Sequence, residues 1–478
     1  MADKPHILIL MPDQLRADTL GCAGHPLIQT PNIDRIAQKG VLFANAHTVS
    51  PVCMPARASF VSGIYPHNHH LWQNAGSLPA KDETFFHHLQ QNGYFVGYVG
   101  KSHFYSHKKG LHLKEYEPYM HARGIDYIHE TTGPWATLHT DSYMTDYWQS
   151  KAFLRAFRED YTWRANQPRQ VVRPSPLPEE DFIDSYVGQK AVEFISTYNQ
   201  KKPFCLFVGF PGPHEPWDAP GRYATMYDPA QVPAPIPSAE LEEMSWLPDQ
   251  VREELLAQLA YTRKLTPGMD EEDIRRIRAN YYGKISLIDH WVGEILQALE
   301  KRGWLDETMI VFWSDHGEMA GDHGFLFKQV FYDGSVRVPL IISHPAVEGN
   351  RVSSALTEII DVYPTLLEAI GAEPSQRCHG RSLWPLLQGK TEEHRPFVLS
   401  EIHAFGAYTY MIRTARYKYA WSSRSGGYLL FDQEQDPLEQ LNLIGHPDVQ
   451  DTQQEMKNLL LQALASTQTH YTHQGERA

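Results

Sequence analysis

Five short apolar runs, separated by helical patterns, are the feature that most constrains how this chain can fold. They are HILILM (6–11), YFVGYVG (94–100), PFCLFVGF (203–210), TMIVFWS (308–314) and VPLIIS (338–343). Continuous apolar runs of this length are typical of strands that are buried on both faces of a sheet. Helical periodicity lies between them, at 33–39, 83–91, 182–199, 272–301 and 361–370. Strands that alternate with helices predict an α/β fold built on a layered sheet.

Polar side chains follow four of these runs at the point where each predicted strand ends. They are Asp13 after the first run, Lys101 and His103 after the second, His214 after the third, and Asp315 and His316 after the fourth. In open α/β sheets the functional site lies outside the carboxyl ends of the strands. We therefore expect these side chains to meet at one edge of the sheet and to form the site.

The segment PVCMPARASF (51–60) predicts an anion site at the beginning of a helix. Pro55 suits the first helical turn, where its missing N–H costs nothing. Cys53 then lies beside free backbone N–H groups and the positive end of the helix dipole, and Arg57 falls on the same face one turn later. A buried structural thiol at a helix start is the alternative interpretation of Cys53.

Composition limits the classes of partner. The net charge of −14 over 478 residues argues against a nucleic-acid partner, although a few convergent cations can still bind a small anion. The four cysteines form no C-x-x-C pair and no disulfide framework. No run approaches the roughly 20 apolar residues of a membrane span, and the first run is shorter than the roughly 7–15 residues of a signal-peptide core. We expect a soluble, cytoplasmic protein without a membrane partner, and the sequence indicates no oligomeric state.

Changes in pattern along the chain suggest two domains. Residues 104–180 are rich in His, Tyr and Trp, residues 215–271 are rich in Pro, and both are predicted to be insertions that form pocket walls or pack on the surface. After about residue 375, short strand-like runs and a helical pattern near 449–465 predict a smaller α+β domain. We therefore expect a catalytic domain at 1–375 and a C-terminal domain at 376–478 with a short antiparallel sheet and a helix.

The segment CMPAR (53–57) resembles the Cys-x-Pro-x-Arg signature of type I sulfatases, in the alkaline phosphatase superfamily. Other motifs of the chain resemble the same family in the same order, namely MPDQLRAD (11–18), SGIYPHNHH (62–70), GKSH (100–103), PHEPW (213–217) and SDHGEMAGDHG (314–324). The resemblance implies an alkaline-phosphatase-like α/β/α sheet. It also implies a sulfatase that cleaves a small anionic sulfate ester through a covalent sulfo-enzyme intermediate.

The resemblance assigns the nucleophile and the metal ligands. It implies that a formylglycine-generating maturation enzyme converts Cys53 to formylglycine, whose gem-diol attacks sulfur, and that Arg57 holds the diol and the substrate anion. It implies one divalent cation, held by Asp13, Gln14, Cys53, Asp315 and His316. Oxygen ligands with one imidazole suit Ca²⁺ first, with Mn²⁺ or Mg²⁺ as alternatives.

The resemblance also assigns the groups around the substrate. Lys101 binds sulfate and diol oxygens, and His103 is the base that deprotonates the second diol hydroxyl. His214 and Lys328 contact the leaving-group oxygen, Asn74 contacts the substrate anion, and Asp315 can also accept the proton of the attacking hydroxyl. An imidazole with a pKa near 6.5 can act as acid or base at neutral pH.

Two departures from the common sulfatase pattern leave an alternative open. Gln14 and His316 resemble the phosphonate monoester and phosphodiester hydrolase branch of the superfamily, whereas the Lys101–His103 pair is typical of sulfatases. Sulfate ester hydrolysis is therefore the first hypothesis and phosphonate or phosphodiester hydrolysis the second. A non-catalytic binding protein on the same fold is a third, and the sequence leaves aryl, alkyl, choline-like and sugar sulfates open as substrates.

Overall fold

The computed structural model describes residues 4–468, and its main sheet confirms the α/β fold. The strands of this sheet are β1 (His6–Asp13), β2 (Gly40–His47), β3 (Phe95–Lys101), β4 (Tyr127–Thr131), β5 (Phe204–Pro213), β6 (Thr308–Trp313), β7 (Leu340–Ser343) and β8 (Arg351–Glu358). They are arranged in the order β4-β3-β5-β1-β6-β7-β2-β8. The five predicted strands are all present, as β1, β3, β5, β6 and β7.

The strand directions bring the predicted site residues together. The neighbours β3, β5, β1 and β6 run parallel, whereas β7 is antiparallel to both of its neighbours. These four parallel strands are the ones that polar residues follow in the sequence. Their carboxyl ends therefore lie side by side at one edge of the sheet, as expected.

Helices cover both faces of the sheet. The helices on these faces include α1 (Pro31–Gln38), α2 (Cys53–Ser62), α4 (Phe85–Gln91), α8 (Ile183–Thr197), α10 (Glu271–Lys301) and α12 (Val362–Ala369). The other helices are α3 (Pro66–His69), α5 (Glu117–His121), α6 (Tyr143–Ser150), α7 (Leu154–Ala165), α9 (Asp249–Leu265), α11 (Asp333–Val336), α13 (Trp384–Leu387) and α14 (Gln450–Thr467). Among residues 4–468, no helix combines the length and the apolar character that a membrane crossing requires.

The side chains of β1 point alternately to the two faces of the sheet, which explains why this strand is apolar at successive positions. Ile7 and Ile9 point into a core shared with α2, α4 and α12, whereas Leu8 and Leu10 point into a second core shared with α1, α8 and α10. Successive side chains of a strand point to opposite faces, so a strand between two helical layers must be apolar at every position. The result is an α/β/α sandwich, which is the layered arrangement that the family resemblance implies.

Three strands of the main sheet were not predicted from the sequence, namely β2, β4 and β8. The two edge strands, β4 and β8, are only partly buried, and β8 begins with alternating exposed residues, so neither has a continuous apolar run. The first insertion is also more ordered than expected. It contains β4 and α5 to α7, and its aromatic residues, including Trp148 and Tyr161, form a separate small core. The second insertion contains the helix α9.

The C-terminal region forms a second sheet, as expected. Its strands are β9 (Val398–Ala404), β10 (Ala407–Arg413), β11 (Tyr417–Ser422) and β12 (Gly426–Asp432), and they pair antiparallel as a meander. The helix predicted near 449–465 is α14. The domain boundary at residue 375 stays a prediction, and the final ten residues of the proposed second domain lie outside the described residues.

Candidate active site

Helix α2 places Cys53 at the edge of the sheet where the polar residues meet. Val52, in an extended conformation, precedes the helix, Pro55 occupies its first turn, and Gly63 ends it with a left-handed φ of 71°. Every residue of α2 is buried, and only 1% of Cys53 is exposed. The prediction that Cys53 lies at or just before the start of a helix is therefore confirmed.

The guanidinium of Arg57 holds two carboxylates in place. Its Nε donates to Asp315 Oδ2 at 2.7 Å, its Nη2 donates to Asp13 Oδ2 at 2.9 Å, and its Nη1 donates to the Lys101 carbonyl at 2.7 Å. The Lys101 ammonium also donates to Asp13 Oδ2. All four residues are buried, so removal of one partner would leave an uncompensated buried charge, at a cost of about 3–5 kcal/mol.

The other oxygen of each carboxylate faces a common centre with Cys53 and His316. One donor atom from each of Asp13, Cys53, Asp315 and His316 lies within 4.8 Å of the others. His316 Nε2 is 3.1 Å from Cys53 Sγ and 3.8 Å from Oδ1 of each aspartate. Two carboxylate oxygens and an imidazole fit one divalent cation of the Ca²⁺, Mn²⁺ or Mg²⁺ type.

Gln14 lies beside this centre with its amide held in one orientation. Its Nε2 donates to Glu215 Oε2 at 3.0 Å and to Glu318, while its Oε1 accepts from the Lys328 ammonium. Its φ of 68° is rare for a residue with a side chain, and such backbone geometry is concentrated at functional sites. The role of Gln14 as a metal ligand stays a prediction.

Four further predicted residues form a partly exposed rim above the buried groups, namely Asn74, His103, His214 and Lys328. Asn74 Oδ1 accepts from the backbone N–H of Met54, at 3.0 Å, which places this side chain directly beside the nucleophile position. Both His103 and His214 lie beside the Cys53 thiol, and a hydrogen bond with that thiol acts to raise the pKa of each imidazole. The structure therefore brings all the predicted site residues into one cluster.

The ionisation states follow from burial and from the neighbouring charges. Burial alone would raise the pKa of Cys53, but Lys101, Lys328 and His316 hold it well below its usual value. Burial lowers the pKa of His103, which favours the neutral imidazole. Burial would also lower the pKa of His214, but the Glu215 carboxylate, 3.0 Å from its Nδ1, raises that pKa to about 9. At neutral pH, His103 is therefore neutral and His214 is positively charged.

Sequence reasoning missed three residues that support the site. Glu215 and Glu318 orient Gln14, and the Thr48 hydroxyl donates to the Asp315 carbonyl at 2.6 Å. Both glutamates lie inside motifs that were already singled out, PHEPW and SDHGEMAGDHG, so their positions carried a signal. Thr48 lies outside such a motif, and its role became visible only through the fold.

Four parallel strands with a buried nucleophile position, paired aspartates and converging cations at their carboxyl ends define a hydrolase of the alkaline-phosphatase-like class. The model of the sulfatase family matches residues 5–372, and a model described as N-sulphoglucosamine sulphohydrolase, C-terminal, matches residues 321–466. The chain therefore belongs to the sulfatase family, and it is a sulfuric ester hydrolase.

Similar proteins span nearly the whole chain. An arylsulfatase of Clostridium perfringens is 29% identical and is aligned over 98% of this chain and 96% of its own length. A choline-sulfatase of Rhizobium meliloti is 31% identical, over 93% of this chain and 83% of its own length. Among solved structures, the phosphonate monoester hydrolase of Agrobacterium radiobacter has a TM-score of 0.79 and 25% identity, with 97% of this chain and 96% of the other chain covered.

Proposed function

We propose that this enzyme cleaves a small anionic sulfate ester with a formylglycine gem-diol made from Cys53, through a covalent sulfo-enzyme intermediate. The observation that carries the proposal is the surroundings of Cys53. A buried thiol at the start of a helix, among Lys101, Lys328 and His316, has its pKa held well below its usual value. The same surroundings would stabilise a diol oxygen that carries negative charge during attack on sulfur.

We propose Asp13, Gln14, Asp315 and His316, together with the residue at position 53, as ligands of one divalent cation. Ca²⁺ is the first expectation, with Mn²⁺ or Mg²⁺ as alternatives. A bound cation would supply positive charge for the nucleophile and for the sulfate oxygens. Arg57 and Lys101 bind the outer carboxylate oxygens, so that the inner ones face the proposed cation. The inner oxygen of Asp315 is also oriented by the backbone N–H groups of Gln14 and His316, each of which donates to it at 3.0 Å.

The protein groups can carry each proton transfer of the reaction. As one diol oxygen bonds to sulfur, Asp315 accepts its proton, the ester S–O bond breaks, and the leaving-group oxygen takes a proton from His214 or a hydrogen bond from Lys328. Lys101, Arg57 and Asn74 bind the sulfate oxygens. His103 then deprotonates the second diol hydroxyl, the C–O bond to sulfate breaks, and the aldehyde is restored and rehydrated by water.

Hydrolysis of a phosphonate monoester or phosphodiester by the same nucleophile is the second candidate. It is favoured by Gln14 and His316 and by the likeness in fold to the Agrobacterium radiobacter hydrolase. Lys101 and His103 favour sulfate. Both reactions develop negative charge on non-bridging oxygens near the same cations, so one site can catalyse both to different extents.

The decisive experiment is the mass of the Cys53 peptide from protein co-expressed with a formylglycine-generating enzyme. Conversion replaces sulfur by oxygen and removes two hydrogens. Converted protein should hydrolyse 4-nitrophenyl sulfate, and Cys53→Ala should lower turnover by at least about 1,000-fold while its thermal unfolding stays cooperative. An unconverted thiol, or full activity of the alanine variant, would refute the mechanism. A matched panel of sulfate and phosphonate esters decides between the two candidates.

Two further sequence expectations stay predictions. One is the cytoplasmic location, and the other is the partnership with a formylglycine-generating enzyme.

A further inference from the structure

A narrow crevice adjoins the rim of the site, and its lining includes Trp135, Arg164, Arg169 and Glu215. Two loops fix its position. In the loop after β4, a Cβ built on Gly133 would lie 3.2 Å from Lys101 Nζ. In the loop after β5, Glu215 contacts both His214 and Gln14. The crevice therefore lies beside the residues proposed to hold the leaving group.

Arg164 is buried in the wall of this crevice with part of its guanidinium unused. Only 4% of the residue is exposed. Its Nε donates to Asp160, and its Nη2 donates to the Arg173 carbonyl at 2.7 Å. Its Nη1 has no hydrogen-bond partner in the described part of the chain. A buried donor without a partner is costly, and a ligand that binds it would remove that cost.

Arg169 is held firmly by its backbone, but its charge is not neutralised. Its N–H donates to the Leu265 carbonyl at 2.9 Å, and its own carbonyl accepts from the Trp217 indole at 2.9 Å. Its guanidinium lies 4.2 Å from the centre of the Trp135 ring. Within residues 4–468 this guanidinium forms no ion pair or hydrogen bond, and its Nη1 is buried. Its position is thus fixed, and its charge is available to a ligand.

The charges around the crevice favour an anion. Glu215 is already paired with His214, and Asp160 is shared between Arg164 and Arg173. Arg169 adds a third guanidinium without a third carboxylate. In a protein with a net charge of −14, this local excess of positive charge stands out from the average surface.

We propose that Arg164 and Arg169 form a second anion subsite, which binds a sulfate or carboxylate group carried by the leaving group of the substrate. The inference rests on the proposed function and names its substrate class, sulfate esters with a second anionic group, such as a disulfated or acidic sugar. A choline-like leaving group fits poorly. Arg169 already covers a face of Trp135, and a quaternary ammonium would meet a like charge there.

The test compares substrates that differ by one remote charge. The probes are a monosaccharide with two sulfate groups, the same monosaccharide with one, and 4-nitrophenyl sulfate. The converted wild-type enzyme should prefer the disulfated sugar by at least about 10-fold in kcat/KM, the usual size of a charge-assisted contact. Arg169→Gln should abolish this preference and leave 4-nitrophenyl sulfate within twofold. Arg169→Lys should retain part of it.

Arg155→Gln is the matched control, because Arg155 belongs to the same insertion, its side chain is 87% exposed, and it pairs with Glu159. It should change none of the three substrates. An equal loss of kcat/KM for all three substrates in Arg169→Gln, or a wild-type enzyme without a preference, would overturn the subsite.

A binding measurement separates this proposal from the proposed function. Calorimetry on Cys53→Ala needs no turnover, and it should show tighter binding of the disulfated than of the monosulfated sugar, with the difference lost in Cys53→Ala/Arg169→Gln. Equal binding of the two sugars would refute the subsite. Failure of the converted wild-type enzyme to hydrolyse 4-nitrophenyl sulfate would refute the proposed function, whatever the calorimetry shows.

Discussion

At position 14 this chain has an amide where the common sulfatase pattern has a carboxylate, and the neighbouring residues explain why an amide suits this place. Two carboxylates, Glu215 and Glu318, accept hydrogen bonds from Gln14 Nε2. Burial and the nearby charge of Glu215 already raise the pKa of Glu318. An aspartate at position 14 would remove the shared donor and add a third negative charge. The smaller negative charge of the proposed ligand set is therefore linked to these two glutamates.

We expect Gln14→Asp to destabilise the metal-free protein by about 1–3 kcal/mol relative to Gln14→Asn. The two variants have the same size, so the difference isolates the charge and the lost donor. Urea unfolding in the presence of a chelator measures it. Adding Glu318→Gln to Gln14→Asp should restore most of the loss. Equal stabilities of Gln14→Asp and Gln14→Asn would show that the carboxylates do not interact with this side chain.

The charge on His214 predicts the alkaline limit of activity. Glu215 raises the pKa of His214 to about 9, so the imidazolium is present at neutral pH and is lost as the pH rises through about 9. If His214 protonates the leaving group, kcat/KM for 4-nitrophenyl sulfate should fall above that pH. Glu215→Gln removes the nearby charge and should move this limit down by about one unit or more.

The surface variant Glu159→Gln serves as the control for this profile, because Glu159 pairs with Arg155 on the exposed face of α7. It should leave the alkaline limit in place. An alkaline limit that is the same in Glu215→Gln and in the wild type would exclude His214 as its source.

Among the elements, helix α2 is constrained at its end by close packing, as it is at its beginning by the site residues. Gly63 has a φ of 71°, and a Cβ at this position would lie 2.3 Å from the Tyr363 ring and 2.7 Å from Cys378 Sγ. Gly303, after α10, has a φ of 72°, and a Cβ at that position would meet nothing within 4 Å. The two glycines therefore share a backbone conformation and differ in their packing.

We expect Gly303→Ala to cost about 1 kcal/mol of unfolding free energy, from the left-handed backbone alone. Gly63→Ala should cost a further 1–3 kcal/mol or so, because its methyl group overpacks the core against α12. Denaturant unfolding of both variants measures the difference. Equal costs would mean that Tyr363 and Cys378 move away without penalty.

The elements that could be predicted from the sequence are those whose own residues show the full pattern of a buried strand. The strands β1, β3, β5 and β6 are buried on both faces, so their runs are apolar throughout, and the site residues that directly follow them could be placed together. The strands β4 and β8 lie at the edges, and their mixed polarity reflects contacts that only the assembled sheet defines. The support of Asp315 by Thr48 and the crevice at Arg169 likewise depend on contacts between distant segments.

For the molecule as a whole, burial of Cys53 limits when it can be modified. The residue is 1% exposed and is enclosed by Asp13 of β1, Lys101 of β3 and His316, which follows β6. We expect a formylglycine-generating enzyme to leave the thiol of the folded protein unconverted and to convert a synthetic peptide of residues 48–64. Mass spectrometry of both measures this. Equal conversion of the folded protein and the peptide would show that the site opens widely in solution.

The separation of Cys53 and His316 along the chain determines when, during synthesis, the pocket around Cys53 can form. The two residues are 263 positions apart, and a ribosome that adds 5–20 residues per second needs roughly 13–53 s to cover that distance. Until β6 and His316, which follows it, have been synthesised, the pocket around Cys53 cannot close. The rate of translation therefore sets the minimum interval in which Cys53 is accessible to the proposed maturation enzyme, and faster synthesis would shorten it.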